Sequence, residues 1–198
     1  VHVVRRPAEQ GYFALSGNLV EGQVEAWHGA PALTGVTGFV EASALGGEVR
    51  LRTDQGFAMA FPLLYEQPLS FLQAEGAVRW EIDTAAHKVY VSSGLVKLAN
   101  KEVSARGHFN LHLPFDGNGE PEMTLVVGVR EGYAGLHQTL VPSVVPEPLL
   151  QWLDQAIIGG EVRDAGFIYH GSLAADAITA RVLQLRGQVA NAEIAFDP

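Results

Sequence analysis

The sequence predicts a mainly β protein built from antiparallel strands, with a single α-helix around residues 146–158. Three observations carry this. Apolar residues recur at every second position over long stretches, most clearly at Val103, Ala105, Phe109, Leu111, Leu113 and Phe115. Turn formers punctuate the chain, with 22 Gly and 10 Pro among 198 residues. Only the stretch that follows Pro146, Glu147 and Pro148 has a helical period.

Residues 1–4 and 11–19 read as short strands, and 23–27 as a candidate third. Residues 32–44 alternate with interruptions at Gly35 and Gly38. Gly46-Gly47 turns the chain into 48–53, where Val49 and Leu51 face one way and Arg50 and Arg52 the other. The apolar run 57–64 contains Pro62, which cannot donate to a ladder, so it reads as an edge or a crossing, not a central strand. In 77–83, Val78, Trp80 and Ile82 oppose Arg79, Glu81 and Asp83. Ala85-Ala86-His87 then leads to 88–92, with Val89 and Val91 on one face.

Residues 103–115 form the clearest strand, about 43 Å long at ~3.3 Å per residue. Ser104, Arg106, His108, Asn110 and His112 take its polar side. Asp116-Gly117-Asn118-Gly119 makes the turn, and Met123, Leu125, Val127 and Val129 resume the apolar face. Phe167, Tyr169, Leu183, Leu185 and Val189 continue it. The parity shifts near Asn191 to Ala192, Ile194 and Phe196, which predicts a bulge.

In the helix, Leu149, Leu150, Trp152, Leu153, Ala156 and Ile157 fill an arc of roughly 160°. Gln151, Asp154 and Gln155 take the other side, and Gly159-Gly160 supplies the stop. The face made by Leu149, Trp152, Leu153, Ala156 and Ile157 is expected to pack on a sheet.

That sheet has more apolar face than one helix can cover. Ten strands about 4.8 Å apart span roughly 48 Å, whereas a helix of this length covers about 20 Å by 10 Å. The sheet can fold over as a sandwich, close as a barrel, or curl into a trough that something else fills. Alternation alone favours the first two, which are the common solutions.

Chemistry has no visible support. The net charge of −9 argues against nucleic-acid binding, and the absence of Cys removes thiolate nucleophiles and zinc–thiolate sites. His108 and His112 share a strand face but stand about 13 Å apart, too far to hold one metal. Asp116–Glu120 opens like a calcium loop, yet Pro121 stands where Gly is needed and Val127 where Glu is needed. No nucleotide loop, nucleophile elbow or zinc-protease motif is present. Trp80 and Trp152 belong to apolar sets, which argues against a sugar-stacking platform that would also use Trp27. The expectation is a protein that is not an enzyme, with no cofactor and no metal. Val1 is not an initiator Met, and the apolar run 57–65 is too short to cross a bilayer, so the chain reads as a segment of a longer protein. Residues 1–198 form one segment, with any subdivision near 140.

Several stretches resemble the central region of the YhdP branch of the AsmA-like proteins, bridge-like lipid carriers related to TamB. They are Val141-Pro142, Leu149–Ile157, Gly160-Glu161-Val162 and Tyr169-His170-Gly171, and upstream Gly46–Leu51, Gly76–Trp80 and Gly107–Pro114. The likeness covers roughly residues 33–198. It implies a Gram-negative envelope protein, anchored in the inner membrane outside this stretch, whose body crosses the periplasm. It also selects the trough: a long curved sheet that carries phospholipid between inner and outer membrane and supports the outer-membrane barrier. The implied groove residues are Val49, Leu51, Val78, Trp80, Ile82, Val89, Val91, Ala105, Phe109, Leu111, Leu113, Leu125, Val127 and Val129. Expected partners are phospholipid and, through the rest of the parent protein, the two membranes, with edge-to-edge self-association of the segment. The competing expectation is an envelope scaffold or interaction module with a closed β-sandwich core.

Overall fold

The computed structural model describes residues 2–5, 13–26, 31–62, 65, 67–133, 135, 147–174, 177 and 181–195. Side chains at 2–5, 149, 153, 157 and 194 are outside the description. Expectations for Trp27, Val141-Pro142, Phe196 and the side chains of Leu149, Leu153 and Ile157 therefore fall outside it.

Thirteen strands form one sheet, and every pairing is antiparallel. They are β1 (His2–Arg5), β2 (Phe13–Val24), β3 (Ala32–Ser43), β4 (Gly46–Thr53), β5 (Phe57–Ala60), β6 (Leu69–Phe71) and β7 (Gln73–Asp83). β8 (Lys88–Ser93), β9 (Val96–Ala99), β10 (Ser104–Pro114), β11 (Glu122–Tyr133), β12 (Ile157–Ser172) and β13 (Arg181–Ile194) follow. The main path runs β1-β2-β3-β4-β7-β8-β10-β11-β12-β13.

The departures from this path have a simple origin. β4 pairs with the later part of β3 and β5 with its start. β8 and β9 likewise share both neighbours, β7 and β10. Each such pair is one long strand bent in the middle, so the chain is an up-and-down meander. Two of the bends fall where short non-strand stretches, Asp54-Gln55-Gly56 and Gly94-Leu95, interrupt the ladder. At a third, Gly35 (φ 72°) meets Gly56 (φ 109°), and a Cβ on Gly35 would lie 2.3 Å from the Gly56 carbonyl oxygen. Neither the left-handed backbone nor that approach is open to another residue at low cost.

Helix α1 (Glu147–Ala156) precedes β12. Glu147 sits favourably in its first turn and accepts a hydrogen bond from Gln151 Nε2 at 3.1 Å. The helix stops earlier than the periodicity predicts. Ile157 pairs with Ile194 in the ladder, and Ala195 N donates to Ala156 O at 3.0 Å. Two β-branched residues in succession favour the extended form, so Ile157 and Ile158 open β12 instead of closing α1. Ala156 is buried as expected, but Trp152 is 59% exposed and does not pack on the sheet. The bulge near Asn191 is present: φ is 51° there, and two residues of β13, Asn191 and Ala192, face one of β12, Gly160, between the Gly159–Glu193 and Glu161–Ala190 pairs.

A compact protein of 21.2 kDa exposes about 9,100 Å² by the usual scaling, whereas this chain exposes 12,501 Å². The described residues form one sheet and no separate second one, in place of the two-sheet sandwich that alternation alone favours. Ends β1 and β13 each pair on one side only, so the sheet is not closed into a barrel either.

Gly35→Ala should lower stability by about 1–3 kcal/mol through backbone strain and the clash with Gly56. Urea unfolding followed by circular dichroism checks this; Gly94→Ala, with open space around the new methyl group, is the control and should change little.

A candidate apolar trough

Residues directly opposite each other in an antiparallel ladder point to the same face. The register therefore assigns faces without further assumption. One row reads Leu15, Ala42, Gly47, Trp80, Val91, Leu111, Met123 and Gly171 from β2 to β12. A neighbouring row joins Val40, Val49 and Val78 on one side, and Phe109, Leu125, Tyr169 and Leu183 on the other. Between its halves stands Ser93, whose Oγ accepts from the Phe109 backbone N–H at 2.9 Å. Ile82, Val89 and Leu113 form an outer row, and Val127 with Phe167, Ala105 with Val129, and Leu51 with Gly76 fill the remainder. All fourteen residues expected to line a groove thus lie on one face of one sheet.

Five of them, Leu51, Val89, Ala105, Leu111 and Leu113, are buried. The other nine, including central Phe109, Leu125 and Val127, are only half-buried. Beside them Leu111, Leu113, Met123 and Tyr169 are buried, so the face is closed at some positions and partly open at others. The face collects two clusters. One gathers Val36, Leu51, Phe57, Leu69, Phe71, Ala74 and Val103; the other gathers Val89, Leu111, Leu113, Met123, Phe167, Tyr169 and Leu173.

Glycine adjusts the floor at one point. A Cβ at Gly47 would stand 2.4 Å from the Trp80 ring, so the indole lies over its cross-strand glycine. One rim is tied by a polar latch: Tyr169 Oη donates to Ser172 O, Ser172 Oγ donates to Glu120, and Leu173 N donates to Pro121 O at 2.7 Å. Burial pushes the Tyr169 phenol above its ordinary range, with nearby Arg181 pulling the other way.

The opposite face carries the charged groups, with Phe39, Val126, Ile168 and Val182 among them. Glu41, Glu48 and Arg79 are successive cross-strand partners, and Arg50 bridges Glu48 at 2.5 Å and Glu41 at 3.4 Å. Hydrogen bonds from Arg79 and then Arg50 hold the Glu48 carboxyl below its ordinary range. His108 and His112 stand on this face as well, and His112 packs edge-on to Tyr90 with ring centroids 5.1 Å apart. No group of three or more metal-ligating side chains occurs among the described residues.

The sequence did not identify Phe61 and Tyr65 as trough residues. Tyr65 packs against both clusters and Phe61 against the second. Their signal was the apolar run broken by Pro62, read as an edge or a crossing.

The family model for the YhdP protein matches residues 2–198. The chain belongs to the YhdP family. No curated protein and no solved structure matches it. YhdP membership fits a protein of the cell envelope, and among the described residues no helix is long and apolar enough to cross a membrane.

Within this YhdP-family sheet, Leu111→Ala should cost about 3 kcal/mol, because Leu111 is only 1% exposed. Leu125→Ala, at a half-open position, should cost less than half as much. Chemical denaturation of the two variants side by side measures the difference.

Proposed function

We propose that this chain is a segment of a periplasm-crossing lipid conduit, in which phospholipid acyl chains lie against the apolar face while headgroups stay at its open side. The carrying observation is a single sheet whose apolar positions share one face across β2 to β13, interrupted at Ser93 and at glycines, with no second sheet over them among the described residues. Acyl chains need a continuous apolar wall and no catalytic group. Burying each methylene is worth about 0.8 kcal/mol, so the affinity comes from the chains and not from charge, in keeping with a net charge of −9. On this reading the segment is non-enzymatic, part of an inner-membrane-anchored protein, and supports the outer-membrane barrier. The unpaired edges of β1 and β13 are then the places where further sheet, or a second copy of the segment, adds on.

Phe109→Arg tests this. In a sealed core the charge would be desolvated and unpaired, at a cost of several kcal/mol. At a half-open trough position the guanidinium reaches water. The variant should stay folded by circular dichroism with a modestly lowered Tm, and organic extraction with mass spectrometry should find less co-purifying phospholipid than in the wild type. Unfolding of the variant, or unchanged lipid content, would count against the conduit.

A further inference from the structure

The β5–β6 hairpin lines the trough with Phe57, Leu69 and Phe71, which are buried in the first cluster, and reaches the second cluster with Phe61 and Tyr65. β5 pairs with β3 through three residues and with β6 through three, while β6 pairs with nothing else. Yet Phe61, which follows β5, packs against a cluster built on β8, β10, β11 and β12, strands that the hairpin never joins in a ladder. Tyr65 is the one described residue that packs against both clusters, so it stands where they meet. The two rings are 6.2 Å apart, and Tyr65 N donates to Phe61 O at 2.9 Å, which fixes them as a unit. The hairpin therefore leans over the apolar face from a bend made at Gly35, Gly56 and Leu72, where Gly56 N donates to Leu72 O at 3.2 Å and Leu72 N to Ala99 O at 2.9 Å.

We propose that Phe61 and Tyr65 form a built-in plug in the acyl-chain path, seated on the trough floor until a lipid chain displaces it. This rests on the conduit reading above. The plug offers the floor the same apolar contact that an acyl chain would offer, so the two compete for one surface. β5 and β6 are anchored through buried Phe57, Leu69 and Phe71, so the displacement is confined to the Phe61 and Tyr65 rings, which are only half-buried. The bend sits at glycines, which absorb backbone rotation most easily. Burial holds the Tyr65 phenol well above its ordinary range, in accord with a ring seated in an apolar site.

A seated plug reduces the apparent affinity to the intrinsic affinity multiplied by the fraction of molecules in which it is undocked. The probe is dansyl undecanoic acid, titrated by fluorescence into the purified chain. The Phe61→Ala/Tyr65→Ala variant should bind it about tenfold more tightly than the wild type, as expected when a competing intramolecular occupant is removed. The second measurement does not depend on that variant folding. The chain has no Cys, so Tyr65→Cys carries a single thiol, and its maleimide labelling should be slow without the fatty acid and several-fold faster when the fatty acid is saturating. Binding of the probe with an unchanged labelling rate, or weaker binding by a folded double variant, would overturn the plug and leave the conduit standing. Failure of both the wild type and the folded double variant to bind the probe would overturn the conduit reading and the plug with it.

Discussion

The structure depends on one constraint: an antiparallel ladder in register puts every second residue of every strand on the same side. Once Val49, Val78, Phe109 and Leu125 are tied into neighbouring pairs, their side chains share a face whether or not anything covers it. A sheet of this width gains by removing that face from water, and the described residues outside the sheet do little of this. Helix α1 lies beside β12 and leaves Trp152 exposed. The β5–β6 hairpin covers part of the face. The rest remains half-open, which is the physical root of the large surface area and of the lipid-carrying function proposed for it.

Bends in the long strands bring distant parts of the apolar face together, as where Leu19 and Val36 share a cluster with Val129. A flat sheet with one apolar side would be an aggregation surface. Interruptions at Asp54-Gln55-Gly56 and Gly94-Leu95, the Gly35–Gly56 approach, and left-handed residues at Glu21, Glu131 and Asn191 break the long strands away from flatness. Two clusters form instead of one continuous core. Polar pairing on the outer side adds little stability, since exposed ion pairs such as Lys97–Glu75 at 3.5 Å are worth about 1 kcal/mol or less. It does keep that side from competing for the apolar role.

Much of this was legible in the sequence because period-two alternation encodes the face directly. The fourteen expected groove residues lie on one side because parity along a strand and register between strands carry the same information. The parity change near Asn191 marked a real bulge for the same reason. Three features were not legible. Strands β6 and β9 are short and lack alternation of their own; they exist as continuations of bent neighbours. The end of α1 depended on Ile157 finding a ladder partner at Ile194, a long-range pairing that outweighs local periodicity. The positions of Phe61 and Tyr65 depended on how far the β5–β6 hairpin leans, which glycines at 35 and 56 permit but do not specify. Alternation also pointed towards a sandwich, because pattern reports that a face is apolar and is silent on what covers it.

The central claim is that acyl chains occupy the apolar face and only that face. Photo-crosslinking measures this directly, with benzoylphenylalanine placed at Leu125 on the trough floor or at Asn110 on the polar side, in cells expressing the protein. The account predicts a crosslink to phospholipid at Leu125, detected by mass spectrometry, and none at Asn110. Equal crosslinking at both positions, or none at Leu125 while a neighbouring protein is captured there, would contradict it.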